Sequence, residues 1–121
     1  MTIDRDEPGK YNLEYGVQLR RLTELMSLTS PIKEAMGGGI SVVAPGETVT
    51  EHVNKPNVEE IFLLLDGEAR FTLEGAPQVM KAGDVGFAAI GKRHEFTNTS
   101  SETIRLLSVW WRAVDKENLP A

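Results

Sequence analysis

From Ile40 onward the chain is cut at short, regular intervals by turn-forming residues, and this punctuation limits what it can fold into. "ISVVA" stops at Pro45-Gly46, "ETVTEHV" at Asn54-Lys55-Pro56-Asn57, and "EIFLLL" at Asp66-Gly67. "EARFTL" stops at Glu74-Gly75, "QVM" at Ala82-Gly83-Asp84, "VGFAA" at Gly91 and "HEFTN" at Thr99-Ser100-Ser101, before a final "TIRLLSVWW". Runs this short, rich in β-branched and aromatic residues, read as strands, because isolated helices of that length are marginal. The expectation is an all-β domain of about eight to ten strands, an antiparallel sandwich or barrel. One segment stays ambiguous. "VQLRRLTELMSL", residues 17–28, has helical apolar spacing but also alternates like a strand through Val17, Leu19 and Arg21. The three glycines at 37–39 read as a flexible lead-in to a strand. Neither a lysine-serine pair nor a helix follows them, so they are not a phosphate loop.

With 121 residues the chain is long enough for one real core and too short for two. The expected organisation is an N-terminal tail or arm at 1–16, a single barrel domain at 17–115 and a C-terminal tail at 116–121. The net charge is −5 with both signs scattered, which speaks against nucleic acid and anionic membranes as partners, since both call for a basic stripe. No apolar run approaches a membrane span and the polar start "MTIDRDEPGKYN" has no signal-peptide core, so a cytoplasmic location is expected. Cysteine is absent, which removes disulfides and thiolate metal sites from consideration.

The chemistry concentrates in "EHVNKPNVEEIFLLLDGE", residues 51–68, where one of the two histidines stands near a pair of glutamates and a run of large apolar residues. A hairpin centred on Pro56 would set His52 opposite Glu60, with Asn54 on the same face. A second hairpin at Asp66-Gly67 would then put Glu60 on a face with Phe62, Leu64, Ala69, Phe71 and Leu73. A carboxylate on such a face needs a partner. The other face carries Ile61, Leu63 and Leu65, which calls for a cover: another sheet, the N-terminal segment or a second subunit.

The stretch Gly46 to Gly67 reads G-x5-H-x-N-x5-E-x6-G, and 83–98, "GDVGFAAIGKRHEFTN", reads G-x5-A-x-G-x2-H-x3-N. Together they resemble the two motifs of the cupin superfamily, over roughly residues 40–110. The resemblance implies a cupin jelly-roll antiparallel β-barrel with one divalent metal ion, Fe, Zn, Mn or Ni, held by His52, Glu60 and His94. Asn54 stands where the family usually has a second histidine of the first motif, and Ala89 where it usually has proline. An amide oxygen is a weaker ligand for a transition metal than imidazole, so Asn54 is an optional fourth ligand, a holder of water, or an open position.

The expected pocket walls are Phe62, Leu64, Phe71, Leu73 and Phe96, with Thr48 and Thr50 as hydroxyl donors on the His52 face. No lysine or arginine is assigned inward, which argues against phosphorylated sugars and for a small, weakly polar organic molecule. Two histidines and a carboxylate with open positions suit an Fe(II)-type oxygenase, and the same set suits a Zn²⁺ that activates water or polarises a carbonyl. A dioxygenase-like enzyme is therefore expected first, with a metal-assisted cyclase or isomerase next. A non-catalytic small-ligand-binding or sensing cupin is the alternative. No general base is assigned, because Glu60 is committed to the metal and Glu95 has outward parity. The apolar outer residues and the resemblance together lead to an expected homodimer.

Overall fold

The structure is a computed structural model that describes residues 3–28 and 35–113. Its strands are β1 (Tyr11–Glu14), β2 (Val17–Arg21), β3 (Met36–Val43), β4 (Thr48–His52), β5 (Val58–Leu64), β6 (Glu68–Leu73), β7 (Ala76–Lys81), β8 (Val85–Ala88), β9 (His94–Asn98) and β10 (Ile104–Arg112). They form two antiparallel sheets, ordered β1-β2-β3-β10-β5-β8 and β4-β9-β6-β7. The architecture is all-β, as the turn punctuation led us to expect, and a jelly-roll barrel, as the cupin resemblance implied. The ambiguous segment 17–28 divides: its first half is β2, and a single helical turn, α1 (Thr23–Met26), follows. Within the expected N-terminal tail or arm, Tyr11–Glu14 pairs with β2 as β1, and Asp4 reaches the outer face of β2 to pair with Arg20 at 2.6 Å. The expected C-terminal tail, 116–121, lies outside the described residues.

Neither expected hairpin in 48–73 forms. β4 pairs with β9 while β5 pairs with β10 and β8, so the connection after His52 crosses from one sheet to the other. The Asp66-Gly67 turn crosses back, since β6 pairs with β7 and β9. The physical reason is burial. β4, β5 and β6 each turn apolar residues inward (Val49; Phe62 and Leu64; Ala69 and Phe71), and placing successive strands in opposite layers brings these together. The alternation along β5 and β6 survives the change of partner: Phe62, Leu64, Ala69 and Phe71 are buried in one core with Val43, Val49, Phe96, Ile104 and Leu106. Leu64 and Ile104 are fully buried, and transferring each from water contributes about 2–3 kcal/mol.

The three glycines are strand interior and not a flexible lead-in. Gly37 and Gly39 pair with Trp110 and Ser108 of β10. The Trp110 indole lies over Gly37 so closely that an added Cβ would stand 2.5 Å from the ring. Across the barrel, Asn98 closes the end of β9. Its amide donates to the Val43 and Glu102 carbonyls at 2.9 and 2.7 Å, and its oxygen accepts from the Ser100 main chain. Among the described residues no helix is long and apolar enough to cross a membrane.

Candidate metal centre

His52 ends β4 and His94 begins β9, and the two are register partners. β4 holds one extra residue between Val49 and His52, a bulge that brings both of them to the inner face although they differ in parity. Thr48 and Thr50 are thereby turned away from the interior. Thr48 bonds the Thr97 hydroxyl at 2.9 Å and Thr50 is exposed, so neither is the expected pocket donor. Val49, buried against Phe96, takes the inward place.

The two imidazoles make three short polar contacts in a row. His52 Nδ1 lies 2.7 Å from the Thr50 carbonyl, His94 Nδ1 lies 3.1 Å from the Lys92 carbonyl, and the two Nε2 atoms are 3.1 Å apart. A carbonyl only accepts, so each Nδ1 must carry its ring's proton. Two neutral rings then have no proton left for the central contact, and two lone pairs face each other. A cation between them, a third proton or a metal ion, would relieve this. Burial pushes the pKa of His94 below its ordinary value, which works against a third proton on that ring, an effect the Lys92 carbonyl only partly offsets. A metal fits. Two unprotonated Nε2 atoms 3.1 Å apart are donors that one divalent ion could share.

Glu60 sits in β5 between Trp110 and Ala88, 7% exposed, with Oε1 3.7 Å from His94 Nε2. Burial raises the pKa of its carboxyl. The side chains of Asn54 and Ser108 and the charge of Arg21 act in the opposite direction. Asn54 therefore faces Glu60, yet its Nδ2 is buried without a well-formed hydrogen bond. Among the described residues no three His, Cys, Asp or Glu side chains stand within the spacing of a formed metal site. The imidazole pair is in place and the carboxylate stands just outside it. Glu59, its neighbour, turns outward and accepts from Trp111 Nε1 at 3.1 Å.

Phe62, Leu64, Phe71 and Phe96 are buried and Leu73 is half-buried. Phe62 lies against His94 with ring centroids 5.4 Å apart, and Leu73 is the register partner of His94 on β6. Phe71 and Leu73 also line an open cleft of about 360 Å³ between β7 and β8, together with Gln78, Met80 and Phe87. Neither histidine lines that cleft.

Three side chains at the site escaped sequence reasoning. The turn between β1 and β2 rests on β4, with Thr50 N–H donating to the Tyr15 carbonyl at 2.8 Å, and it lays the Tyr15 ring flat on His52, centroids 4.1 Å apart. Ser108 faces Glu60 from β10. Arg21 lies on the inner face of β2 by register, exposed at the rim and bonded to Glu14, and its charge acts on Glu60. The alternation of Val17, Leu19 and Arg21 was the available signal, and the competing helical reading of that segment obscured it.

A small jelly-roll barrel with two inward imidazoles and a buried carboxylate at one end defines the class of protein. Residues 39–110 match the Cupin_2 family, described as Cupin domain, and the chain belongs to that family. It resembles the crystal structure of a Cupin 2 conserved barrel domain protein from Salinispora arenicola, with 28% identity and a TM-score of 0.74 over 97% of this chain and 91% of the other. A predicted oxalate decarboxylase from Thermotoga maritima is 27% identical, with a TM-score of 0.69 over 79% and 80% of the two chains. Acetate kinase EutQ of Escherichia coli is 42% identical over 57 residues, which span 47% of this chain and 24% of that protein.

Proposed function

We propose that the protein is a mononuclear, metal-dependent cupin acting on a small organic molecule that presents an oxygen to the metal. The observation that carries this reading is the proton count at the histidine pair: three short contacts, two protons, and a buried ring that resists a third. His52 and His94 would hold the ion through Nε2 and Glu60 through its carboxylate. Bound there, the ion would supply positive charge to a substrate oxygen and, if redox-active, a path to dioxygen.

The chain's own residues do the rest. The Thr50 and Lys92 carbonyls fix the tautomers that leave Nε2 free on both rings. Tyr15 holds the plane of His52 by stacking, while Ser108 and Asn54 orient Glu60. Phe62, Phe71 and Phe96 keep water from the inner side of the pair and suit a weakly polar ligand body. Oxygenation is the first chemistry to test and metal-assisted isomerisation or cyclisation the second.

Cobalt titration tests the reading. One Co²⁺ per chain should give visible ligand-field absorption that His52→Ala abolishes, and the absence of any such band in the wild type would overturn it. Oxygen consumption by the Fe²⁺-loaded protein with phenolic and diketone compounds then separates an oxygenase from a cupin that only binds its ligand.

We also propose a homodimer. The support is the outer face of the larger sheet, where two apolar rows run across adjacent strands: Ile40, Leu107, Leu63 and Val85 in one, Val109, Ile61 and Phe87 in the other. Val85 and Phe87 are 59% and 45% exposed, and a second copy would cover them.

A further inference from the structure

We propose that the ligand of this centre carries a carboxylate and that Arg21 receives it, exchanging its bond to Glu14 for one to the ligand. This deepens the metal-centre reading and rests on it. Arg21, Gly39, Ser108 and Phe62 form one row across four adjacent strands, all on the inner face. Gly39 has no side chain to stand between Arg21 and Ser108, and Ser108 touches Glu60. Arg21 is thus a cation at the mouth of the barrel on the face that carries the proposed metal ligands, and its charge reaches the Glu60 carboxylate. The same guanidinium is influenced by Tyr15, whose ring lies on His52.

Glu14 marks what the guanidinium receives. Its two carboxylate oxygens take Arg21 Nε and Nη2 side by side at 3.0 and 2.7 Å, the paired geometry in which a guanidinium holds a carboxylate. Both partners are substantially exposed, 43% and 32% for the side chains, so the pair is a weak one that a ligand can displace. Charge favours the exchange. A divalent ion with Glu60 and Arg21 sums to +2, and Glu14 offsets only one unit from the solvent side. A ligand with a carboxylate for Arg21 and an oxygen for the metal meets both charges, while its apolar body lies toward Phe62. The expectation of a weakly polar molecule then describes the ligand's body and not its head.

The test is calorimetric titration of metal-loaded protein with benzoylformate, its uncharged methyl ester and inorganic phosphate. Benzoylformate should bind at least tenfold more tightly than the ester and more tightly than phosphate. Arg21→Met should weaken it at least tenfold with metal content unchanged. Glu14→Gln should tighten it, an effect that misfolding does not imitate. Equal affinity for benzoylformate in wild type and Arg21→Met, or tighter binding of phosphate, would overturn the proposal. Should the protein hold no metal, the metal-centre reading fails separately. The same titrations on metal-free protein then decide the role of Arg21: a preference for the acid that Arg21→Met removes supports it, and indifference overturns it.

Discussion

His52 and His94 present their Nε2 atoms to each other at 3.1 Å, while the other nitrogen of each ring is held by a main-chain carbonyl two residues earlier. The β4 bulge and the β4–β9 register create this relationship. It leaves the two Nε2 atoms without a proton between them, which is what supports the proposed metal site.

Asn54 is the position that tunes the site. It faces Glu60, and the family resemblance puts a histidine there. Replacing a weak amide donor by imidazole beside the proposed ligands His52, Glu60 and His94 should tighten divalent-metal binding about tenfold or more. Metal titration of wild type and Asn54→His checks this, and unchanged affinity would mean that position 54 does not reach the ion.

Burial of Glu60 sets a pH dependence with a definite sign in the metal-free protein. Its folded pKa is raised above the ordinary 4.5, so its contribution to stability is complete below that value and is lost as pH rises through the folded pKa. Above that value, ionising the buried carboxyl is disfavoured relative to the unfolded chain, and this costs stability. Glu60→Gln should therefore raise the Tm of metal-free protein by a few degrees at pH 7 and hardly at all near pH 4. His94 works in the opposite sense: its folded pKa lies below 6.5, so its contribution is present above 6.5 and lost as pH falls through the lower value. Thermal melts of wild type and Glu60→Gln across this range check the signs.

Asn98 is 1% exposed and bonds two carbonyls and the Ser100 main chain. Asn98→Ala leaves these groups without partners and should cost about 2–3 kcal/mol, read from urea unfolding. A loss below about 0.5 kcal/mol would show that water satisfies them equally well.

What the sequence made legible was local. Strand positions followed from turn residues, and the inward set Phe62, Leu64 and Phe71 followed from alternation, which depends on a strand's own backbone and not on its neighbour. Strand partners were not legible, because the Asp66-Gly67 turn serves equally for a hairpin or for a crossing between layers. The extra residue in β4 was hidden as well, and it moved Thr48 and Thr50 off the expected face. Arg21 was readable only by choosing the strand pattern of 17–21 over the helical one.

The outer apolar rows give the dimer its test. Phe87→Asp puts a charge at an exposed edge position and should leave the fold intact while shifting a dimer to monomer in light scattering at micromolar concentration. A wild type that is monomeric at that concentration would contradict the proposed dimer.

The histidine pair and Glu60 are proposed to hold one divalent ion. Elemental analysis of wild type and His94→Ala, both purified without chelator and shown to be folded by circular dichroism, tests it most directly. The predicted result is close to one metal per wild-type chain and almost none in His94→Ala; equal metal content in the two proteins, or none in either after incubation with Fe²⁺, Zn²⁺, Mn²⁺ and Ni²⁺, would contradict it.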